Sequence, residues 1–461
     1  MYIDIPSAPS SEQLQLLQAP PRPVEIIKGA AGSGKTFTAI CKLIFTASYM
    51  ASNGESLDIQ ILSFNRTLKA YISEVIEIYK EKYNIRTNIT PTVDTFAKWA
   101  APSPNINITS AKDFLQNCGQ GLSLYNAFSQ DFLSDEIQYV LKRFPYTNLD
   151  TYLSSVRHGR GTLPAFEEEY RKILLYEYIH KYFDWKKQND VFDWEDIAWQ
   201  ACSSHPSKYD IIVVDEGQDF TANQYRAVVN SLKDDSCLIC VIDTAQKIYL
   251  NGFTWTECGI DAVRHKPFTL KRNFRNTKGI SLLAAKILES VTIDNDGVMP
   301  EQNASISSET IPLLLIGVFS KQINYMIQEI KEYLSKGESC VILFKSEKWS
   351  QYTKRKLKEN NIEFNSITRE SEWPNNDINL VISTMHSAKG LEFDHVFIPG
   401  INSKLFPTSY PNGDEAIQQD RRLLAMAIGR ARKTVTLGEK YEEKSGYFDN
   451  IDESILKRIC L

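Results

Sequence analysis

The sequence predicts an α/β protein built on two mainly parallel sheets, with a helical insertion in the first. Three observations predict this. The apolar run Val24-Glu25-Ile26-Ile27 leads into Gly29-Ala30-Ala31-Gly32-Ser33-Gly34-Lys35-Thr36 and then into a helical pattern. A second run, Tyr209–Val214, ends in Asp215-Glu216-Gly217-Gln218-Asp219. From about residue 98 to 190 strand signals disappear and long amphipathic patterns take over. Apolar strand runs alternating with helices mark parallel sheets, which are covered on both faces.

Residues 1–23 are polar and proline-rich, with one short helical pattern at Ser11–Gln18. After strand Val24–Ile27, a helix runs from about Lys35 to Met50 and breaks at Ser52-Asn53-Gly54. Strand Ile59–Ser63, a helix over Thr67–Tyr83 and the segment Asn88–Val93 follow. Within the insertion, Leu133–Phe144 and Ala165–Lys186 carry helical spacing, and Arg157-His158-Gly159-Arg160-Gly161 reads as a basic loop. Strands resume at Ile211–Val214 and Leu238–Ile242. A second α/β block starts near Phe268, with strands at Pro312–Ile316, Ser339–Phe344, Asn379–Ser383, His395–Ile398 and Thr434–Leu437. Helices Ile323–Ser335, Lys348–Asn360 and Asp420–Ala431 lie between them. The expected division is 1–97 with 191–267, the insertion 98–190, and 268–461.

A chain of 461 residues with 43% apolar content holds several cores, two to four domains by length. A net charge of −5 excludes a protein that coats nucleic acid nonspecifically, but leaves room for a local basic groove. The eight cysteines are scattered. Cys237 and Cys240 lie in an apolar run with no second ligand pair, so buried thiols are expected rather than zinc. Such usage fits a reducing compartment. The N-terminus lacks a basic stretch followed by an apolar core. Ile311–Phe319 is about half the length that spans a bilayer. A soluble cytoplasmic protein without a membrane partner is expected.

Gly29, Gly34, Lys35 and Thr36 satisfy G-x-x-x-x-G-K-[ST]. Glycines let backbone N–H groups close around phosphate oxygens, and the following helix offers its positive end. Ala30, Ala31, Gly32 and Ser33 complete the cradle. Lys35 would reach the β- and γ-phosphates of ATP, and the Thr36 hydroxyl would ligate Mg²⁺. Asp215 and Glu216 end a buried strand at the sheet edge where ligands sit. Asp215 would hold Mg²⁺, and Glu216 would orient and deprotonate the attacking water.

In order along the chain, these motifs resemble superfamily 1 DNA helicases of the UvrD/Rep/PcrA type, from about Gln13 to Arg432. Ser11-Glu12-Gln13, Ser63-Phe64-Asn65-Arg66-Thr67-Leu68, Thr92-Val93-Asp94-Thr95-Phe96 and Phe192–Ile197 are similar to family segments, as are Asp243-Thr244-Ala245-Gln246-Lys247-Ile248-Tyr249 and Asn273-Phe274-Arg275. Thr384-Met385-His386-Ser387-Ala388-Lys389-Gly390-Leu391-Glu392-Phe393-Asp394 is the most specific; Leu405-Phe406-Pro407, Arg421–Leu424 and Ala427–Arg432 complete the set.

The resemblance implies two RecA-like P-loop NTPase motor domains and an ATP-dependent translocase moving 3′-to-5′ on single-stranded DNA or tailed duplex. Gln13 would read adenine, Phe274 would stack on it, and Gln246 would sense the γ-phosphate. Arg275 and Arg430 would reach the phosphoryl group from the second domain, each worth about 10³–10⁵ in rate. Gly390 and Glu392 would join the nucleotide site. Phe64, Asn65, Thr95, Phe96, Tyr249, Trp255 and His386 would line the DNA track, with Phe253, Arg157, Arg160 and Lys354-Arg355-Lys356 as further candidates; ordinary core is an equal reading for Phe253 and Trp255, and a solvated helix face the better one for Lys354-Arg355-Lys356. Stacking on aromatic faces tolerates any base.

The chain departs from the family pattern. The interval from Arg275 to Thr384 is too short for the family's second-domain insertion, which puts autonomous unwinding in doubt. Ile242, Ala425 and Gly429 replace a glycine, an aromatic and a threonine; Gly429 would weaken its helix by about 1 kcal/mol. No nuclease constellation follows Arg432. An alternative is therefore a nucleotide-gated DNA-binding regulatory subunit of a multi-protein nuclease complex, such as an antiphage system, with a separate nuclease or ATPase subunit as partner. RNA as the track is a third option.

Overall fold

The computed structural model describes residues 8–29, 32–51, 56–63, 68–85, 88–101, 106–157, 165–243, 253–261, 266–289, 291, 304–306, 310–368, 377–408 and 414–461. Six strands form the first sheet: β1 (Val24–Gly29), β2 (Ile59–Leu62), β3 (Thr92–Asp94), β4 (Tyr209–Val214), β5 (Leu232–Ile242) and β6 (Phe268–Leu270). Their order is β3-β2-β4-β5-β1-β6, with every neighbouring pair parallel. Side chains of the central strands are buried on both faces. One face packs Ile61, Val213 and Ile239 against Ile40 and Leu43; the other packs Leu62, Ile212 and Leu238 against Tyr225 and Val228. The helices that follow β1 and precede it are α2 (Lys35–Met50) and α1 (Ser11–Gln18).

Because β5 lies between β1 and β4, the glycine loop, the acidic turn and Asp243 all open on one carboxyl edge. That edge is where parallel sheets bind ligands.

Asn273–Thr277 (β7) and Ala304–Ile306 (β8) form a separate parallel pair. Seven strands make the second large sheet: β9 (Leu313–Ile316), β10 (Cys340–Phe344), β11 (Asn365–Ile367), β12 (Leu380–Thr384), β13 (Phe393–Ile401), β14 (Ala431–Glu439) and β15 (Lys457–Cys460). Their order is β11-β12-β10-β13-β14-β9-β15, again parallel throughout. The first sheet with its helices makes the first lobe; the second large sheet with its helices, and the β7–β8 pair that packs beside β14, make the second.

The insertion is helical and has its own core of Phe114, Leu133, Ile137, Val140, Tyr178 and Tyr182. Its long helical run from Glu168 to Asn189 contains a π-helical stretch at Leu174–Ile179. It is fastened to the first lobe. Arg143 forms a two-point ion pair with Glu257, at 3.0 and 2.8 Å. The Asn223 amide donates to the carbonyls of Leu141 and Phe144.

Several expectations need correction. Phe268–Leu270 belongs to the first sheet, paired with β1, so the chain leaves that sheet later than expected. The helix Asp414–Ile428 stops before Gly429, which lies in the turn leading to β14 and therefore weakens no helix interior. Cys118 and Cys460 are exposed rather than buried. Among the described residues, the interval from Arg275 to Thr384 holds strands β7 to β12 and the helices Lys278–Leu288, Phe319–Ser335 and Ser350–Glu359, with no helical domain standing apart. No helix among the described residues is long and apolar enough to cross a membrane.

Candidate nucleotide site between the two lobes

The glycine loop has the shape of an anion cradle. Gly32 and Gly34 adopt φ +76° and +75°, the left-handed region that disfavours side chains. A Cβ on Gly32 would lie 2.3 Å from Asn273 Oδ1 and 2.8 Å from the Arg275 Cβ. The Phe274 N–H donates to the Gly32 carbonyl at 2.9 Å. Strand β7 therefore rests directly on the loop. A Cβ on Gly29 would lie 2.5 Å from Ser33 Oγ, which is buried with no hydrogen-bond partner among the described residues. A buried orphan hydroxyl inside a glycine cradle suits a phosphate oxygen.

Around this loop the first lobe gathers its charged groups. Lys35 Nζ pairs with Asp243 Oδ2 at 3.0 Å. The Thr36 hydroxyl lies 3.1 and 3.2 Å from the two Asp215 oxygens. Burial and the adjacent Glu216 push the Asp215 carboxyl up. A hydroxyl beside a carboxylate that is costly to ionise is a donor set suited to Mg²⁺, whose charge would relieve that cost. Burial also pushes Glu216 up, but Lys389, Lys35 and Arg430 outweigh it and hold the carboxyl below its usual range. Glu216 sits at φ +52°, an unusual conformation for a side-chain-bearing residue. Gln218 ties the turn together: its Nε2 donates to Glu216, and its Oε1 accepts from the Asp243 N–H at 2.9 Å.

Four cationic groups of the second lobe complete the cluster. Lys389, 2% exposed, pairs with Asp219 and lies 3.5 Å from Glu216 Oε2. Arg275 pairs with Glu392, whose other oxygen lies 3.4 Å from Arg432 Nε. Burial pushes Glu392 up, but Arg275 and Arg432 outweigh it and lower the carboxyl. Arg430 is buried; desolvation and the neighbouring Arg275 bring its guanidinium down to about 10, against the pull of Glu216. Gly390, at φ +82°, makes the turn between Lys389 and Glu392.

Gln13 is drawn to the same loop. Its Nε2 donates to Thr38 Oγ1 at 2.9 Å and would lie 2.8 Å from a Cβ on Gly34. Its Oε1 accepts from the Ser10 N–H, closing the capping box of α1. The Phe274 side chain is 38% exposed and keeps a face open to solvent. Ala30, Ala31 and Gln246 lie outside the described residues, as do Phe64, Asn65, Tyr249 and Arg160.

The expected DNA-track residues fare differently. Phe96 is buried 5.4 Å from the Trp99 ring and 5.6 Å from Phe220, so its faces are spent in the core. Trp255 and Phe253 pack on Tyr225 at 5.1 and 5.8 Å. Thr95 uses its hydroxyl to cap the helix Phe96–Ala100. Arg157 is locked on buried Glu136 through two bonds of 2.9 and 2.7 Å, which removes it from phosphate contact. Lys354, Arg355 and Lys356 form surface ion pairs with Glu347 and Glu359. His386 stays in the loop after β12, three residues before Lys389.

Lys389, Asp219, Gln218, Asp243 and Asn276 are parts of the site to which the motifs alone assign no partner. All five stand in or beside quoted motifs, but each has a partner from a segment far away in sequence.

Comparison with known proteins agrees with this geometry. Residues 10–254 match the UvrD/REP helicase N-terminal domain, and residues 368–440 match the UvrD-like helicase C-terminal domain. A probable DNA helicase of Mycoplasma pneumoniae is 23% identical over 456 residues, covering 90% of this chain and 80% of that protein. DNA helicase II of Rickettsia typhi is 34% identical over 91 residues, which is 19% of this chain and 14% of its own. The ATP-dependent DNA helicase Rep of Buchnera aphidicola is 38% identical over 81 residues, covering 18% of this chain and 11% of its own. With a cradle, an acidic turn and far-lobe cations meeting in one crevice, the chain belongs to the UvrD/REP helicase family.

Proposed function

We propose that this protein is an ATP-driven DNA translocase and helicase that moves 3′-to-5′ along single-stranded DNA, hydrolysing Mg-ATP at the seam of its lobes. The observation that carries this reading is the convergence of Lys389, Arg275 and Arg430 on the crevice that holds Lys35 and Glu216. Groups on both sides of a movable seam make hydrolysis depend on closure, and closure is a domain motion. Lys35 would exchange Asp243 for phosphate oxygens. Glu216 would take the proton of the attacking water, being held ionised by its cationic neighbours. Arg275 and Arg430 would stabilise charge on the transferring phosphoryl group. Thr36 and Asp215 would hold Mg²⁺, which neutralises phosphate charge. Gln13 and Phe274 would embrace the base, and His386 would meet the strand on the second lobe. The proposed units are the first lobe, the helical insertion and the second lobe.

ATPase assays with and without single-stranded DNA test the reading, run beside strand displacement on 3′-tailed, 5′-tailed and blunt duplexes. Strong stimulation by DNA is expected, with unwinding from 3′ tails only. Lys35→Ala and Glu216→Gln should abolish both. Hydrolysis indifferent to DNA and RNA would defeat the proposal. The compact interval between Arg275 and Thr384 favours one further outcome: stimulated ATPase without strand displacement, which would assign the chain to a larger complex with a nuclease or ATPase partner.

A further inference from the structure

Lys389 comes from the second lobe, yet its ammonium group is enclosed by carboxylates of the first. A buried lysine is costly unless it is paired. Here the compensation comes from Asp219 and Glu216, across the seam. Their attraction more than offsets burial and holds Lys389 charged. The same Glu216 oxygen that faces Lys389 also accepts from Gln218 Nε2. A hydrogen bond from one lobe and an ion pair from the other therefore hold a carboxylate whose backbone is already in a costly conformation, at φ +52°.

The loop that presents Lys389 is stiff. The Ser387 N–H donates to Thr384 Oγ1 at 3.1 Å, and the Ala388 N–H to the Thr384 carbonyl at 3.0 Å. The Met385 N–H is anchored on the Phe344 carbonyl of β10 at 2.8 Å. His386 lies inside this loop, so a strand held there and the ammonium group of Lys389 ride on one rigid piece.

Resting on the function proposed above, we propose that Lys389 is a positioning residue that aims Glu216 at the attacking water only while the lobes are together. The ammonium group transfers no proton and touches no phosphate. Its task is to hold the carboxylate, and separation of the lobes withdraws it. Hydrolysis is then tied to closure through the general base itself, beside the arginines that act on the phosphoryl group.

Lys389→Met and Lys389→Arg, measured against the parent chain, test this. At saturating single-stranded DNA, Lys389→Met should lower kcat for ATP about 10²-fold, within the range a positioned general base supplies. KM for ATP and the Kd for DNA, read by fluorescence anisotropy, should stay within about threefold, a retention expected of a group in the crevice whose ion pairs run to Glu216 and Asp219 rather than to either ligand. Lys389→Arg, which keeps the charge, should recover at least about a tenth of the parent kcat. A kcat of Lys389→Met within about twofold of the parent overturns the proposal. So does a matching loss in DNA affinity, or an arginine variant no better than methionine.

A second measurement is independent of turnover. Dyes on the exposed Cys118 and Cys460 report insertion-to-second-lobe distance by energy transfer. Without nucleotide, Lys389→Met should broaden that distance distribution. If the parent itself shows no DNA-stimulated hydrolysis, the proposed function fails, and an unchanged distribution in Lys389→Met then refutes the role of Lys389 separately.

Discussion

The side-chain amide of Asn276 grips the backbone on both sides of Arg430. Its Nδ2 donates to the Gly429 carbonyl at 3.1 Å and to the Ala431 carbonyl at 2.5 Å. Asn276 itself is held by Asn273, whose Nδ2 donates to Asn276 Oδ1 at 2.9 Å while its Oδ1 accepts from the Arg275 N–H at 3.0 Å. One asparagine pair thus sets the backbone of both arginines. Asn276→Ala takes one donor from each of two carbonyls, a cost of about 0.5–1.5 kcal/mol for each bond. With Arg430 displaced by an ångström or so, kcat should fall about 10²-fold, with KM for ATP little changed. A folded Asn276→Ala with parental kcat would show that the grip serves stability alone.

Gly32→Ala should destroy nucleotide binding. The left-handed backbone there costs about 1–2 kcal/mol with a side chain, and the new methyl collides with Asn273 Oδ1 and the Arg275 Cβ. Affinity for a fluorescent ATP analogue should drop beyond detection. Gly121 is the control: its φ is +95° but the space around it is open. Gly121→Ala should lose a similar strain energy and keep its ATP affinity.

Stability should fall with pH through one buried carboxyl. Burial pushes Glu195 up to about 8; Thr221 Oγ1 donates to it at 3.0 Å. Below the ordinary carboxylate range both folded and unfolded chains carry the proton, and the contribution is fully present. As pH rises toward 8 the unfolded chain ionises first, so the contribution shrinks. Glu195→Gln should flatten the urea midpoint between pH 5 and 8 relative to the parent. A parental slope in the variant would place the titration elsewhere.

Arg157→Ala should destabilise without weakening DNA binding. Glu136 is fully buried and accepts from Arg157 and from the Tyr152 hydroxyl at 2.7 Å. Removing one partner of a buried pair costs about 3–5 kcal/mol. Thermal melting should register it. DNA affinity per folded molecule should be unchanged, and a loss there would return Arg157 to the track.

The long strands were legible because parallel strands buried on both faces read as unbroken apolar runs, as Tyr209–Val214 and Cys340–Phe344 do. The short ones were not. Asn273–Thr277 is polar along most of its length, and Asn365–Ile367 and Phe268–Leu270 are three residues each. The helix before Arg430 begins six residues earlier and ends three residues earlier than its spacing predicts, and its end is marked by Asn276, far away in sequence. Glycine and lysine spacing located the phosphate cradle, since that geometry is local. The partners of Lys389, Lys35 and Glu392 depend on which strand edges meet, which no local pattern records. Phe96 and Trp255 show the opposite limit: an aromatic beside a motif reads the same whether its ring faces solvent or packs, as these do, on Phe220 and Tyr225.

Strand β6 ends at Leu270 and β7 begins at Asn273, and among the described strands this is the single passage from one sheet system to the other. The tether is Lys271 and Arg272, with a reach of roughly 10 Å counted over the three links at 3.3–3.6 Å each. The insertion, pinned by Arg143 and Asn223, travels with the first lobe and adds no second pivot. Such a leash permits rotation and forbids wandering. Any turn of one lobe on the other is therefore a swivel about Lys271–Arg272, and under the proposed function the stride along a strand would be bounded by how far that joint lets one lobe turn.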